Sequence, residues 1–165
     1  MSVKSRTGRL VVLGAVLFTG GALMAGCGGD SDSDSDDFVA SANTICADYK
    51  AQSEAAEADF TAAMDAGDLE TGAIIFEEQA DAMSNAIDEM EALEVPSDSQ
   101  ENFDEFIALS RDTADVTLVA ADAIRNDDGQ GLDAAVAEGE ALDAESDVVA
   151  EELGFTDCLS EEDSA

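Results

Sequence analysis

The chain has 165 residues, of which 40 are acidic and 6 basic, and it contains no histidine and no tryptophan, for a formal charge of −34 at pH 7. This balance excludes the positive footprint that nucleic acid requires and a polybasic grip on anionic lipid. Without histidine there is no Ser-His or Cys-His nucleophile pair, no His-ligated zinc or haem, and no Glu-x-x-His di-iron site of the kind some helical bundles hold.

The N-terminus opens with Lys4, Arg6 and Arg9, followed by an uncharged apolar run from Leu10 to Met24. Positive start, apolar middle and small residues at the end are the layout of a secretory signal. As a helix the run spans only about 22 Å, short of the roughly 30 Å hydrocarbon core, which disfavours a retained membrane helix. It ends in Met24-Ala25-Gly26-Cys27. These four residues resemble the bacterial lipobox, with Met24 where the family prefers leucine. The resemblance implies removal of residues 1–26 and attachment of lipid to Cys27, now the first residue. Each buried methylene contributes about 0.8 kcal/mol, so two or three acyl chains make a lasting anchor on the extracytoplasmic side of the cell membrane. The competing readings are an ordinary cleaved signal that leaves Cys27 as a free thiol, or a short retained helix.

Removing residues 1–26 takes away three cations and no acid, leaving 40 acids against Lys50, Arg111 and Arg125. Such a surface is soluble and self-repelling. It reads as a solvated coat or a saline adaptation before it reads as a cation store, because the acids are spread along the chain and not gathered at ligand spacing. Residues 27–37, the lipidated cysteine and a Gly/Asp/Ser run, read as a disordered acidic tether with nothing apolar to bury. Its alternating acids are no EF-hand loop: starts at Asp30 or Asp32 would need glycine at Ser35 or Asp37 and glutamate at Ser41 or Asn43.

From Phe38 to Cys158 apolar or small residues recur every three or four positions, which predicts four amphipathic helices and no convincing strand. The first carries Phe38, Ala42, Ile45, Tyr49, Ala56, Phe60 and Met64 on one face, with Asp36 or Asp37 to cap its start and Gly67 to end it. The second carries Leu69, Ala73, Phe76, Ala80, Met83, Ile87 and Met90, and Val95-Pro96 stops it. Ser97 and Gln100 form a candidate capping box for the third, which turns Phe103, Phe106, Ile107, Thr113 or Ala114, Thr117, Ala121 and Ile124 inward. Residues 125–131 read as a turn. The fourth helix follows with Leu132, Ala135, Gly139, Leu142, Ser146, Val149 and Leu153, and Gly154 caps its C-terminus. Short connections make this an all-α, antiparallel up-down-up-down four-helix bundle over 38–158, with 159–165 as a disordered acidic tail. Asp88, Glu89 and Glu91 close helix two, and Glu151 and Glu152 close helix four, against the macrodipole.

With Cys27 taken by lipid, Cys46 and Cys158 remain as a pair in a compartment that permits disulfides; the alternative is two buried thiols. The loop such a bridge closes, about 110 residues, is worth up to roughly 4.7 kcal/mol on the chain-entropy model. Ala42-Asn43-Thr44-Ile45-Cys46 and Leu153-Gly154-Phe155-Thr156-Asp157-Cys158 together resemble small actinobacterial-type secreted or lipid-anchored helical proteins with an A-N-x-(I/L)-C opening and an L-G-x-x-x-C close. That family has no assigned activity, so the resemblance implies the disulfide and no catalytic residue.

No catalytic, cofactor or metal residue is expected. Two carboxylates alone can cleave a glycosidic bond, but sugar sites are built on aromatic platforms, and the one tyrosine, Tyr49, falls on the core face. Met64, Met83 and Met90 read as core filler, and Asn43 as a capping or surface residue. Two functional readings follow. The first is an interaction or structural module of the cell envelope, with a basic protein surface as partner. The second is a carrier for a small apolar or cationic ligand in or on the bundle. A closed core favours the module, and an apolar pocket of several hundred cubic ångströms favours the carrier.

Overall fold

The computed structural model describes residues 31–160. The signal segment, Cys27, the first residues of the acidic run and residues 161–165 lie outside the described residues. Within them the chain forms α1 (Ser31–Ala66), α2 (Leu69–Glu91), α3 (Gln100–Arg125), α4 (Gly129–Leu153) and a short 3-10 turn (Thr156–Cys158), with no strand. The all-α four-helix bundle is the fold the periodicity predicts, and it is closed by the expected Cys46–Cys158 disulfide.

The architecture is two helical hairpins with near-identical corners. At the first, Gly67 takes φ +69°, Asp68 donates its backbone N–H to Ala63 O, and the Asp68 carboxylate accepts from Thr71 N. At the second, Asp127 takes φ +52°, Asp128 donates to Ala123 O, and its carboxylate accepts from Gly131 N. Each corner satisfies orphan carbonyls of one helix and orphan amides of the next with one left-handed residue and one aspartate. Since Asp128 is that cap, the predicted 125–131 turn shrinks to residues 126–128 and α4 starts at Gly129. Gly72 is buried where a Cβ would meet Met64 Sδ at 2.9 Å, so its lack of a side chain lets α1 and α2 close together.

Three boundaries differ from the sequence reading. Helix α1 begins at Ser31, so part of the run expected to be a disordered tether is helical and neither Asp36 nor Asp37 caps it. An acidic run suits a helix N-terminus, whose dipole favours negative charge. The Ser97/Gln100 capping box does not form: α3 starts at Gln100 after Ser99, which makes no side-chain cap bond, and Gln100 Nε2 instead donates to Asp104 Oδ1 at 2.8 Å. Finally, the tail remains ordered through Leu159, which packs on the core, and Ser160, whose N and Oγ both donate to the Asp147 carboxylate at 2.9 and 2.6 Å.

The core concentrates at the end of the bundle where α1 starts and α4 finishes. Phe38, Phe103, Phe106 and Phe155 meet there edge-on, with ring centroids 5.4 to 5.5 Å apart, enclosed by Ala42, Ile87, Met90, Ile107, Val149, Ala150 and Leu153. At the other end, small residues such as Ala73, Ala120, Ala121 and Ala123 are buried. Two cations stitch α2 to α3. Arg111 Nη2 reaches both oxygens of Glu91 at 2.7 Å, partly offsetting the acidic C-terminus of α2. Arg125 contacts Glu77, Asp122 and Glu70 at 2.8, 3.1 and 3.4 Å.

These pairs leave most of the acids uncompensated, so raising sodium chloride from about 0.02 M to about 1 M is expected to increase the thermal midpoint, as the shortening screening length relieves self-repulsion. Circular dichroism at the two ionic strengths checks this. A flat or falling midpoint would mean that the fold carries no net repulsive strain.

Candidate functional site

Helices α1 and α2, α2 and α3, and α3 and α4 pack along their lengths, whereas α1 and α4 do not; α1 meets the far end of α4 chiefly through the 3-10 turn. The fourth seam of the bundle is therefore open. No residue of α1 between Ala42 and Ala63 is buried. The apolar positions there, Tyr49, Ala56 and Phe60, are half-buried walls of a cleft and not core.

The cleft has a volume of about 510 Å³ and opens to solvent on one side. Its α1 wall is Tyr49, Lys50, Ser53, Ala56, Glu57 and Phe60, and its α4 wall is Asp143, Ser146 and Asp147. The floor is supplied by Ile75, Phe76, Gln79 and Met83 of α2 and by Thr113 and Thr117 of α3. Phe60 and Phe76 meet at one end with ring centroids 4.9 Å apart and planes tilted by 55°. A smaller recess of about 140 Å³ adjoins the other end beneath the disulfide, reaching Met90, Phe106 and Ile107.

The disulfide end is fixed by the two motifs singled out in the sequence. Cys46 and Cys158 are bonded, at a Cα separation of 4.9 Å, and both line the cleft. Asn43 clamps the same junction: its Nδ2 donates to Gly154 O at 3.2 Å and its Oδ1 accepts from Asp157 N at 2.9 Å. Gly154 takes φ +79° as the left-handed cap of α4, while Phe155 N donates to Ala150 O and turns the ring into the aromatic cluster. Each defined residue of the A-N-x-I-C and L-G-x-x-x-C patterns thus has a mechanical reason in this fold: Ala42 and Leu153 are buried, Ile45 packs on the core, and the others bond across the junction.

The polar groups of the cleft include both acceptors and donors, Lys50 and the Tyr49 phenol among the donors. Thr113 and Thr117 donate their hydroxyls to the carbonyls of Leu109 and Thr113, leaving lone pairs free. Gln79 Oε1 is buried with no hydrogen-bond partner. Asp147, the one charged residue buried among the described residues, is held by Ser160. Desolvation against the cleft, then the charges of Asp147 and Glu140, raise the Asp143 carboxyl above its ordinary value although much of the residue's area is exposed. Burial, then Asp143, pushes Tyr49 up to about 12, which keeps its phenol protonated.

Of the predicted site residues, Cys46 and Cys158 are brought together, and Cys27 lies outside the described residues. Sequence reasoning missed Gln79, Asp143 and Asp147: each lay among many similar polar residues on helices whose outward faces are also polar. Among the described residues no group of three or more acids or cysteines is arranged to hold a metal ion, and no helix is long and apolar enough to cross a membrane. Compared with protein-family models, curated proteins and solved structures, the chain matches none.

Proposed function

We propose that this chain is an extracytoplasmic binding protein, anchored at the cell membrane by lipid on Cys27, that carries a small, largely apolar ligand in the cleft between α1 and α4. The observation that carries the proposal is the open fourth seam: about 510 Å³ of space floored by Ile75, Phe76 and Met83. Ligand pockets fall in the range of roughly 300–1,000 Å³ with predominantly apolar walls and a few convergent polar groups. Of the two readings open at the level of sequence, a closed core would have favoured an interaction module; the cleft favours the carrier.

Tyr49 makes the test direct, since the chain has one tyrosine and no tryptophan, so tyrosine emission reports from the cleft wall alone. Titration with 1-octanol, a neutral probe, is expected to shift that emission saturably at one molecule per chain. The expected Kd is ~0.1 mM, at roughly −0.6 kcal/mol per non-hydrogen atom. Ala56→Phe, which fills the cleft from the α1 wall, is expected to weaken binding at least about tenfold while the helical circular dichroism spectrum is kept. A non-saturating response, or one that Ala56→Phe leaves unchanged, would remove the proposal.

A further inference from the structure

The shape of the cleft says more than its volume, and the step rests on the binding reading above. We infer that the ligand is built on one unbranched aliphatic chain, laid lengthwise between α1 and α4. Its end enters the recess under the disulfide, and its head group stays in the open part of the cleft.

The lining residues recur every three or four positions, so each set is a single stripe along one helix face. On α1 the stripe is Cys46, Tyr49, Ser53, Ala56 and Phe60. On α2, which runs the other way, it is Phe76, Gln79, Met83, Ala86 and Met90. Phe106, Ser110, Thr113 and Thr117 continue the floor on α3. From 46 to 60, and from 76 to 90, a helix advances roughly 21 Å. The cleft and the recess form one trough, because Cys46, Tyr49, Met83, Thr113 and Cys158 line both. A volume of about 510 Å³ spread over roughly 21 Å leaves a mean cross-section of about 24 Å², room for one hydrocarbon chain and not for two side by side.

The recess is fitted to the apolar end. Its Ile87, Met90, Phe106 and Ile107 belong to the buried core, and the Ser110 and Thr113 hydroxyls donate to the carbonyls of Phe106 and Leu109. About 140 Å³ of unfilled space against that core leaves side chains without contact atoms, which an apolar guest supplies. Met83, on the boundary, has the flexibility to adjust to the chain. Lys50, Ser53 and Glu57 line the open part and not the recess, so a head group there keeps polar neighbours and water.

Straight-chain alcohols vary the chain and hold the head group constant. At about 1.2 Å per backbone bond, the advance of an extended polypeptide, 1-dodecanol takes up about 14 Å and stays inside the trough. With Tyr49 emission as readout on the full chain, affinity is expected to rise about fourfold per methylene from 1-hexanol to 1-dodecanol, at one molecule per chain. Cyclooctanol has the carbons of 1-octanol in a compact ring and is expected to bind at least about tenfold more weakly. Ala86→Leu and Ser110→Leu fill the recess from α2 and from α3. Each is expected to cut the gain from 1-hexanol to 1-decanol at least about tenfold, with the helical circular dichroism spectrum kept.

Equal affinity for cyclooctanol and 1-octanol, or no gain beyond 1-hexanol, would overturn the inference and leave the binding reading standing. A full chain-length gain in both folded variants would put the chain outside the recess and overturn it as well. Failure of every alcohol to saturate, cyclooctanol included, would remove inference and reading together.

Discussion

Reducing the Cys46–Cys158 bridge, or replacing both cysteines with serine, is expected to destabilise the protein by about 3–5 kcal/mol and lower its thermal midpoint by roughly 10–20 °C. The sequence separation is 112 residues, so the open chain recovers almost the whole loop-closure entropy of the domain. The structure adds a second contribution. α1 and α4 do not pack on one another along their lengths, so the junction where the bridge sits is the main tie across the open seam. Losing it frees the 3-10 turn together with the cleft wall that Cys158 and Leu159 provide. Thermal melts with and without reductant decide the matter. A midpoint unmoved by more than about 3 °C would mean that the aromatic cluster holds the junction unaided.

Phe155→Ala is expected to cost a similar amount, about 3–5 kcal/mol, although it lies outside every helix. The ring is 0 % exposed and touches both Phe38 and Phe106, so truncation leaves a void walled by three helices. Phe155→Leu keeps most of that volume and is expected to cost about 1 kcal/mol. Phe155 O accepts from Cys158 N, which makes the ring and the bridge neighbours in one structural unit. The double change, Phe155→Ala with the bridge reduced, is accordingly expected to cost less than the two separate losses added. Urea unfolding of the four species gives the coupling. Strict additivity would show that ring and bridge act on separate parts of the fold.

Helix content and the places of the two hairpin corners were legible because each rests on local chemistry, whereas the sulfur pairing, 112 residues apart, was legible only from the count of cysteines and the resemblance. Gly67 and Gly154 stand where left-handed residues are needed, and the repeating apolar face needs only the 3.6-residue period. The cleft was not legible, for a physical reason. Periodicity shows that Tyr49, Ala56, Phe60, Phe76 and Met83 share a face with core residues, but not whether a fourth helix arrives to cover that face. In a chain so rich in alanine, nearly every side of every helix can be packed closely, so the sequence does not say which seams shut. Asp147 was missed for the complementary reason: its burial depends on a fold-back, here Leu159 and Ser160 returning onto the core and α4, that no local pattern announces. The failed Ser97 capping box is a smaller case, since Gln100 found Asp104 one turn on.

The position of the sulfur–sulfur bond has a mechanical consequence. It joins the first helix, just before its midpoint, to the final turn, so residues 46–158, most of the described domain, lie inside one covalent ring. Tension applied between the N-terminal segment and the C-terminal tail runs directly from residue 46 to residue 158, and the helices in between carry none of it. A protein built this way withstands pulling as a short linear strut, and a machine that unravels proteins from one end would be obliged to draw in a closed loop.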